Sequence, residues 1–216
     1  MTPKFSTAVD PVFQDALGLL ERIAGGENPS PKEEAVRIRG WLDQAEAHLG
    51  RGQDWQLAKY ALVAWGDETL LDAPWEGRSW WNEHKLEWEI FGSNDRFYLF
   101  FDKAKEATTL PQKDALETFY ICVVLGFRGL YRDPVAAAAL AEPRQLAPDL
   151  ESWARETAMA IRLGLGRPTI SDASTPLEGA PPLHGPSTLV WSSFFGLILA
   201  VFLVILVWLF IIIPKA

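Results

Sequence analysis

Two adjacent carboxylates, Asp67 and Glu68, interrupt the apolar run KYALVAWGDETLL at 59–71. Paired acids can move protons, ligate cations or collect hydrogen-bond donors, and burying either one without a partner is costly. Two readings of the pair stand. In one, an acid faces solvent while the other bonds to the backbone or to an arginine such as Arg78, Arg128 or Arg132. In the other, the pair lines a polar groove that receives a partner protein. His84 with Glu83 and Glu87 is the nearest approach to a metal pattern. One His–carboxylate pair lacks the second half that a di-metal bundle needs, so the spacing reads as a solvated helix face. Cys122 lies between Ile121 and Val123 and reads as an inert packed thiol. Leu163-Gly164-Leu165-Gly166 reads as a helix stop, not a phosphate loop. The sequence holds no P-loop, nucleophile elbow, paired CxxC or HExxH. No catalytic, cofactor-binding or metal-ligating residue is therefore assigned.

Tryptophan carries the other chemical signal. The chain has 10 tryptophans, and Trp75, Trp80, Trp81 and Trp88 fall in one short segment. Four so close cannot easily all face inward, and exposed tryptophan is a common interface anchor. Asp67, Glu68, Trp75, Trp80 and Trp81 are thus the candidate partner-binding residues.

The elements that must position these groups are helical. Residues 6–24 carry Val9, Val12, Phe13, Ala16, Leu17, Leu20 and Ile23 at i, i+3/i+4 spacing, with Ser6 or Thr7 as cap and Gly25-Gly26 as stop. A second helix over 31–49 places Ala35, Ile38, Leu42, Ala45 and Leu49 on one face. A third, about 54–71, is apolar on most sides and belongs at the centre of a bundle. The pattern predicts a fourth helix over 78–91, with Trp81, Leu86, Trp88 and Phe91 as inward contacts. Further helices follow at 95–107, 111–125, 134–141 and 149–163, with a glycine-containing corner at GFRGLYRDP. No stretch alternates with period 2, so no strand is predicted. The fold class is all-α: a helical bundle of about seven to eight helices plus one C-terminal transmembrane helix.

That last helix is the clearest feature of the sequence. Residues 188–213 contain no Asp, Glu, Lys or Arg, and Leu189–Ile213 makes a helix of roughly 38 Å, enough to cross a ~30 Å hydrocarbon core. Trp191 and Trp208 sit near its ends, where indole prefers the interface. Residues 167–187, rich in Pro, Gly, Ser and Thr, read as a flexible tether of roughly 25 Å. The expected organisation is a helical domain at 1–166, the linker at 167–187, the anchor at 188–213 and a short translocated tail at 214–216. Residues 1–25 show no basic segment followed by an apolar run, so the large N-terminal part is expected in the cytoplasm. The single cysteine fits a reducing compartment. The net charge of −8 argues against binding to a phosphate backbone, so no nucleic-acid partner is expected.

Five blocks carry a family resemblance: KYALVAWGDETLLDAPW (59–75), WW (80–81), LEWEIFG (86–92), FYLFF (97–101) and LETFYICVVLGFRGLYR (116–132). They resemble the DotU/TssL proteins, inner-membrane components of type VI secretion systems with relatives in type IVb systems. Tyr60, Asp67, Glu68, Trp75, Trp81, Phe91, Gly92, Phe100, Phe101, Glu117, Tyr120, Cys122, Gly126, Phe127, Gly129 and Tyr131 fall on the family pattern. Trp65-Gly66 departs from it, where bulkier aliphatic or aromatic residues are expected. The resemblance implies a cytoplasmic domain of two small sub-bundles with a cleft between them. It also implies a place at the bacterial inner membrane as a single-pass protein, with the N-terminal domain in the cytoplasm. Its implied partners are a TssM/IcmF-like inner-membrane protein, an outer-membrane lipoprotein and baseplate components, with self-association through the anchor. Scaffolding, not catalysis, is the implied role, and Asp67 and Glu68 then gain a partner-facing or cleft-shaping function. Tyr60, Gly92, Glu117, Tyr120, Gly126, Phe127, Gly129 and Tyr131 are expected to serve the structure.

Three other functions share parts of this pattern. A type IVb DotU-like stabilising component shares the same blocks. A Bcl-2-like tail-anchored regulator shares the architecture, but the chain has no Asn-Trp-Gly-Arg segment. A membrane-bound enzyme would have to work through Asp67, Glu68 or His84.

Overall fold

Apolar spacing sets the first two helices, which pack as a pair. The structure, a computed structural model, describes the backbone of residues 1–164 and 185–212, and the side chains of 1–164 and 193–208. Helix α1 (Pro3–Ala24) buries Val9, Val12, Phe13, Ala16, Leu19 and Ile23. Leu19 is the fully buried leucine, while the expected Leu17 and Leu20 flank the core and are only partly covered. The helix begins at Pro3, earlier than expected. Ser6 and Thr7 therefore do not cap it: both hydroxyls donate back to the carbonyl of Pro3. Helix α2 (Pro31–Leu49) turns Ala35, Ile38, Leu42 and Ala45 inward. It is tied to α1 through the buried Glu34, which pairs with Arg22 at 2.8 Å and with Arg37.

Helix α3 (Gln53–Asp72) is buried on almost every side from Tyr60 to Glu68. Apolar residues at 57, 58 and 60–65 leave it no polar face, so neighbours must surround it. They include α1, α2, α4 (Arg78–Glu83), α5 (Leu86–Phe91), α6 (Arg96–Thr108) and α7 (Asp114–Val124). Where one helix was expected over 78–91, the chain breaks at His84 and Lys85, whose backbones leave the helical region. Trp88 consequently points outward with 56% of its surface exposed, and Phe91 is half-buried, although both were expected inside.

After α7, which starts at Asp114 and not at Pro111, Gly126 adopts φ +109° and Gly129 φ +46°. These left-handed positions suit glycine and turn the corner into a 3-10 turn, Gly129–Arg132. Helix α8 (Pro134–Leu140) is capped by Asp133, whose side chain accepts from the Val135 amide, and α9 (Leu150–Gly164) closes the unit. Phe100, Phe101, Phe119, Phe127 and Trp153 join α6, α7 and α9 through edge and stacked ring contacts at 3.9–5.3 Å. Among the described residues every element is helical and no strand occurs.

Met1–Arg167 forms one compact unit. Within it α3 packs on helices that precede it and on helices that follow it. Pro168–Ala216 is a second unit, and its described part is α10 (Gly185–Ile212), 28 residues long. Its side chains over 193–208 are exposed throughout. Among the described residues no helix is long and apolar enough to cross a membrane: the helix itself runs the required length, but its apolar character is described only over 193–208. The expected tether at 167–187 falls outside the described residues up to 184, and the expected tail at 214–216 lies wholly outside them.

Candidate functional site

Asp67 and Glu68 leave α3 in different directions and collect donors from two different segments. Asp67 is fully buried. Its Oδ1 accepts from Trp81 Nε1 at 2.8 Å and from the Leu86 amide at 3.0 Å, and its Oδ2 accepts from the Glu87 amide at 2.8 Å. Leu86 and Glu87 are the first two residues of α5, whose N-terminal amides need an acceptor. Lys85, in the capping position, has no acceptor side chain. Asp67 supplies the missing oxygens from another helix and sets negative charge at the positive end of α5. Burial pushes the Asp67 carboxyl up to about 6, against the pull of its three donors toward the ionised form.

Glu68 holds the opposite corner. Its Oε1 accepts from the backbone amides of Arg128 at 2.8 Å and Gly129 at 3.2 Å, and from Arg132 Nη2 at 2.9 Å. Arg132 is shared with Asp72, whose hydrogen bond leads in raising the guanidinium above its ordinary value. Of the arginines proposed as partners, Arg132 serves by its side chain and Arg128 by its amide. The side-chain oxygens of both acids therefore point into the fold.

Another buried carboxylate beside this pair was missed by sequence reasoning. Glu87, expected on a solvated face, is fully buried and accepts a 2.8 Å hydrogen bond from Tyr60 through Oε1. Arg96 stands 3.7 Å from its other oxygen. Burial first, and then the charge of Glu87, raises the Tyr60 phenol well above its usual range. The acids at 87 and 89, both in the first turn of α5, were the signal that a helix starts there. Glu83 stays exposed, and His84 stacks on Trp80 at 4.3 Å instead of joining Glu87. Among the described residues no group of His, Cys, Asp and Glu could hold a metal ion.

The tryptophans divide. Trp81 is fully buried, and Trp75 is nearly so, its indole donating to the Leu70 carbonyl at 2.9 Å. Gly77 permits this: a Cβ there would sit 2.4 Å from the Trp75 ring. Trp80 is half-exposed and Trp88 is the exposed one. The residues assigned to structure surround these groups. Phe91 packs edge-on against Tyr60, Gly92 ends α5 at φ +67°, and Phe127 stacks on Phe100. Tyr131 donates to the Ala147 carbonyl at 2.7 Å. Glu117 pairs with the amino group of Met1, and Tyr120 is half-buried. Cys122 is fully buried, and its thiol is pushed well up by burial.

The family model for type VI secretion system protein DotU matches residues 8–212, from α1 to the end of α10. The chain belongs to the DotU family. Members of this family are structural components of type VI secretion, associated with the inner membrane and bearing a cytoplasmic domain. The solved cytoplasmic domain of TssL from Acinetobacter baumannii has a similar fold, with a TM-score of 0.55 and 23% identity over 73% of this chain and 98% of that one. No curated protein matches the chain. The DotU match fits a site built to hold segments in place: both Asp67 oxygens and Glu68 Oε1 meet donors of the fold.

Proposed function

We propose that this DotU-family protein is a non-enzymatic, tail-anchored scaffold of the type VI secretion membrane complex. In this reading α10 crosses the inner membrane once and Met1–Arg167 lies in the cytoplasm. There it assembles with a TssM/IcmF-like protein and docks baseplate components, and α10 also mediates self-association. The carrying observation is the family match, which runs through the helical unit and α10 together. Length supports the anchor, since 28 helical residues extend roughly 42 Å. Asp67 and Glu68 serve this function by shape: one fixes α5, the other the 128–132 corner, and so they set the surface that carries Trp80 and Trp88.

The test is a pull-down of tagged, full-length protein from native membranes in mild detergent, with partners identified by mass spectrometry. A large inner-membrane protein of the TssM/IcmF type is the expected companion. Recovery of the chain without it, when both are present in the membranes, would overturn the assignment.

A further inference from the structure

Helix α5 is held unlike its neighbours. It has only 6 residues, and both ends are breaks in regular structure: His84 and Lys85 before it, Gly92 at φ +67° after it. Its one substantial packing partner among the helices is α3. Leu86 is its only fully buried apolar side chain; Ile90 and Phe91 are half-exposed and Trp88 faces outward. By contrast α7, with 11 residues, buries Ala115, Leu116, Phe119, Cys122 and Val123. Apolar burial therefore holds α5 weakly, through Leu86 and the edge contact of Phe91 with Tyr60, and polar groups do most of the holding: the Asp67 oxygens on the amides of Leu86 and Glu87, the Tyr60 hydroxyl on Glu87, and a half-exposed ion pair of Glu89 with Arg39 of α2. The polar contact beneath the helix is itself imperfect. Glu87 is fully buried, yet no protein group donates a hydrogen bond to its Oε2, and Arg96 approaches only to 3.7 Å with its Nε also unpartnered. Such a buried charge gains solvation when the segment lifts, which lowers the cost of opening.

We propose that α5 is a hinged latch, a segment that undocks from α3 as a unit about His84-Lys85 and Gly92 while the rest of Met1–Arg167 stays folded. Opening frees the Asp67 carboxylate, Tyr60 and Glu87 to water and carries the exposed Trp88 with it, so anything that grips Trp88 biases the latch. Segments with little buried apolar area and few backbone bonds open locally, well below the free energy of global unfolding. The latch is independent of which partner the protein has.

Amide hydrogen exchange on the full-length protein in mild detergent, resolved by peptide or by residue, tests the latch. The amides of Leu86, Glu87, Ile90 and Phe91 are expected to exchange at least about a hundredfold faster than those of Ala61, Leu62 and Val63 in α3. Tyr60→Phe removes the one donor to Glu87 and is expected to speed α5 exchange by about ten- to a hundredfold while α1 and α2 keep their protection. Asp67→Ala is expected to do so more strongly, and should it unfold the protein, the wild-type and Tyr60→Phe rates decide alone. Exchange of α5 at the rate of the α3 core would overturn the latch. So would a Tyr60→Phe variant in which α1, α2 and α5 all accelerate together.

Discussion

Replacing Asp67 separates two energies that its position sets against each other. Burial outweighs its three donors and raises its pKa from 3.8 to about 6, a net preference of about 3 kcal/mol for the neutral acid in the fold. Asp67→Asn relieves the charge and keeps an oxygen for Trp81 Nε1 and the Leu86 amide, but it turns an NH2 group toward the Glu87 amide. One lost charge-assisted bond is worth about 1–3 kcal/mol, so at pH 7.5 the asparagine variant should lie within about 2 kcal/mol of wild type. Asp67→Ala receives the same relief but leaves all three buried donors without an acceptor, so it should fall below wild type by about 3 kcal/mol or more.

Acid adds a second reading of the same residue. The folded-state pKa lies above the unfolded one, so the native state takes up the proton first. This contribution to stability is complete below about pH 3.8 and is lost as the pH rises through about 6. Between pH 7.5 and pH 5 the wild type should gain about 1–2 kcal/mol from Asp67 that neither variant can gain. Urea unfolding of the full-length protein in mild detergent, followed by tryptophan fluorescence at both pH values, measures each difference. An asparagine variant as damaged as the alanine variant, or a wild-type-to-asparagine gap that does not change with pH, would refute this assignment of forces.

Other consequences follow from particular positions. Gly66 is buried in α3, yet a Cβ there would meet nothing within 4 Å, so Gly66→Ala should raise the urea midpoint, by up to about 1 kcal/mol of helix propensity. Gly129→Ala should do the reverse, by about 2–4 kcal/mol, since φ is +46° and the new Cβ would lie 2.7 Å from the Phe127 ring and 2.8 Å from the Phe97 carbonyl. Cys122 should resist maleimide in the folded protein and react on the timescale of unfolding in urea, as mass spectrometry would show; fast labelling without denaturant would contradict its burial.

Much of this architecture was legible in the sequence because it rests on local periodicity. The stripes of α1 and α2, the all-round apolar character of α3 and the glycine corner after α7 all carry their own signals. The break at 84–85 was not legible in the same way. Its capping group is Asp67, 19 residues before the amide of Leu86 and on another helix, so the acids at 87 and 89 were the one local trace of the new start. The side-chain directions of Glu87 and Trp88 followed from that break. A continuous helix over 78–91 turns Trp88 inward and Glu87 outward, and restarting the helix at Leu86 exchanges them. The acidic pair stood out in the sequence as residues that are costly to bury without a partner, and both are buried where one was allowed to face solvent. Which partners they have depended on contacts 14 to 64 residues away, beyond any local pattern.

As a proposed membrane scaffold, this chain should be needed for type VI secretion and should need α10 to serve it. The most direct measurement deletes its gene in the cell that carries it and quantifies export through that apparatus, with complementation by the full chain or by a chain ending at Gly164. Loss of export on deletion, rescue by the full chain and no rescue by the chain without α10 is the predicted result. Undiminished export in the deletion strain would contradict the function, and full rescue by the shortened chain would contradict the anchor.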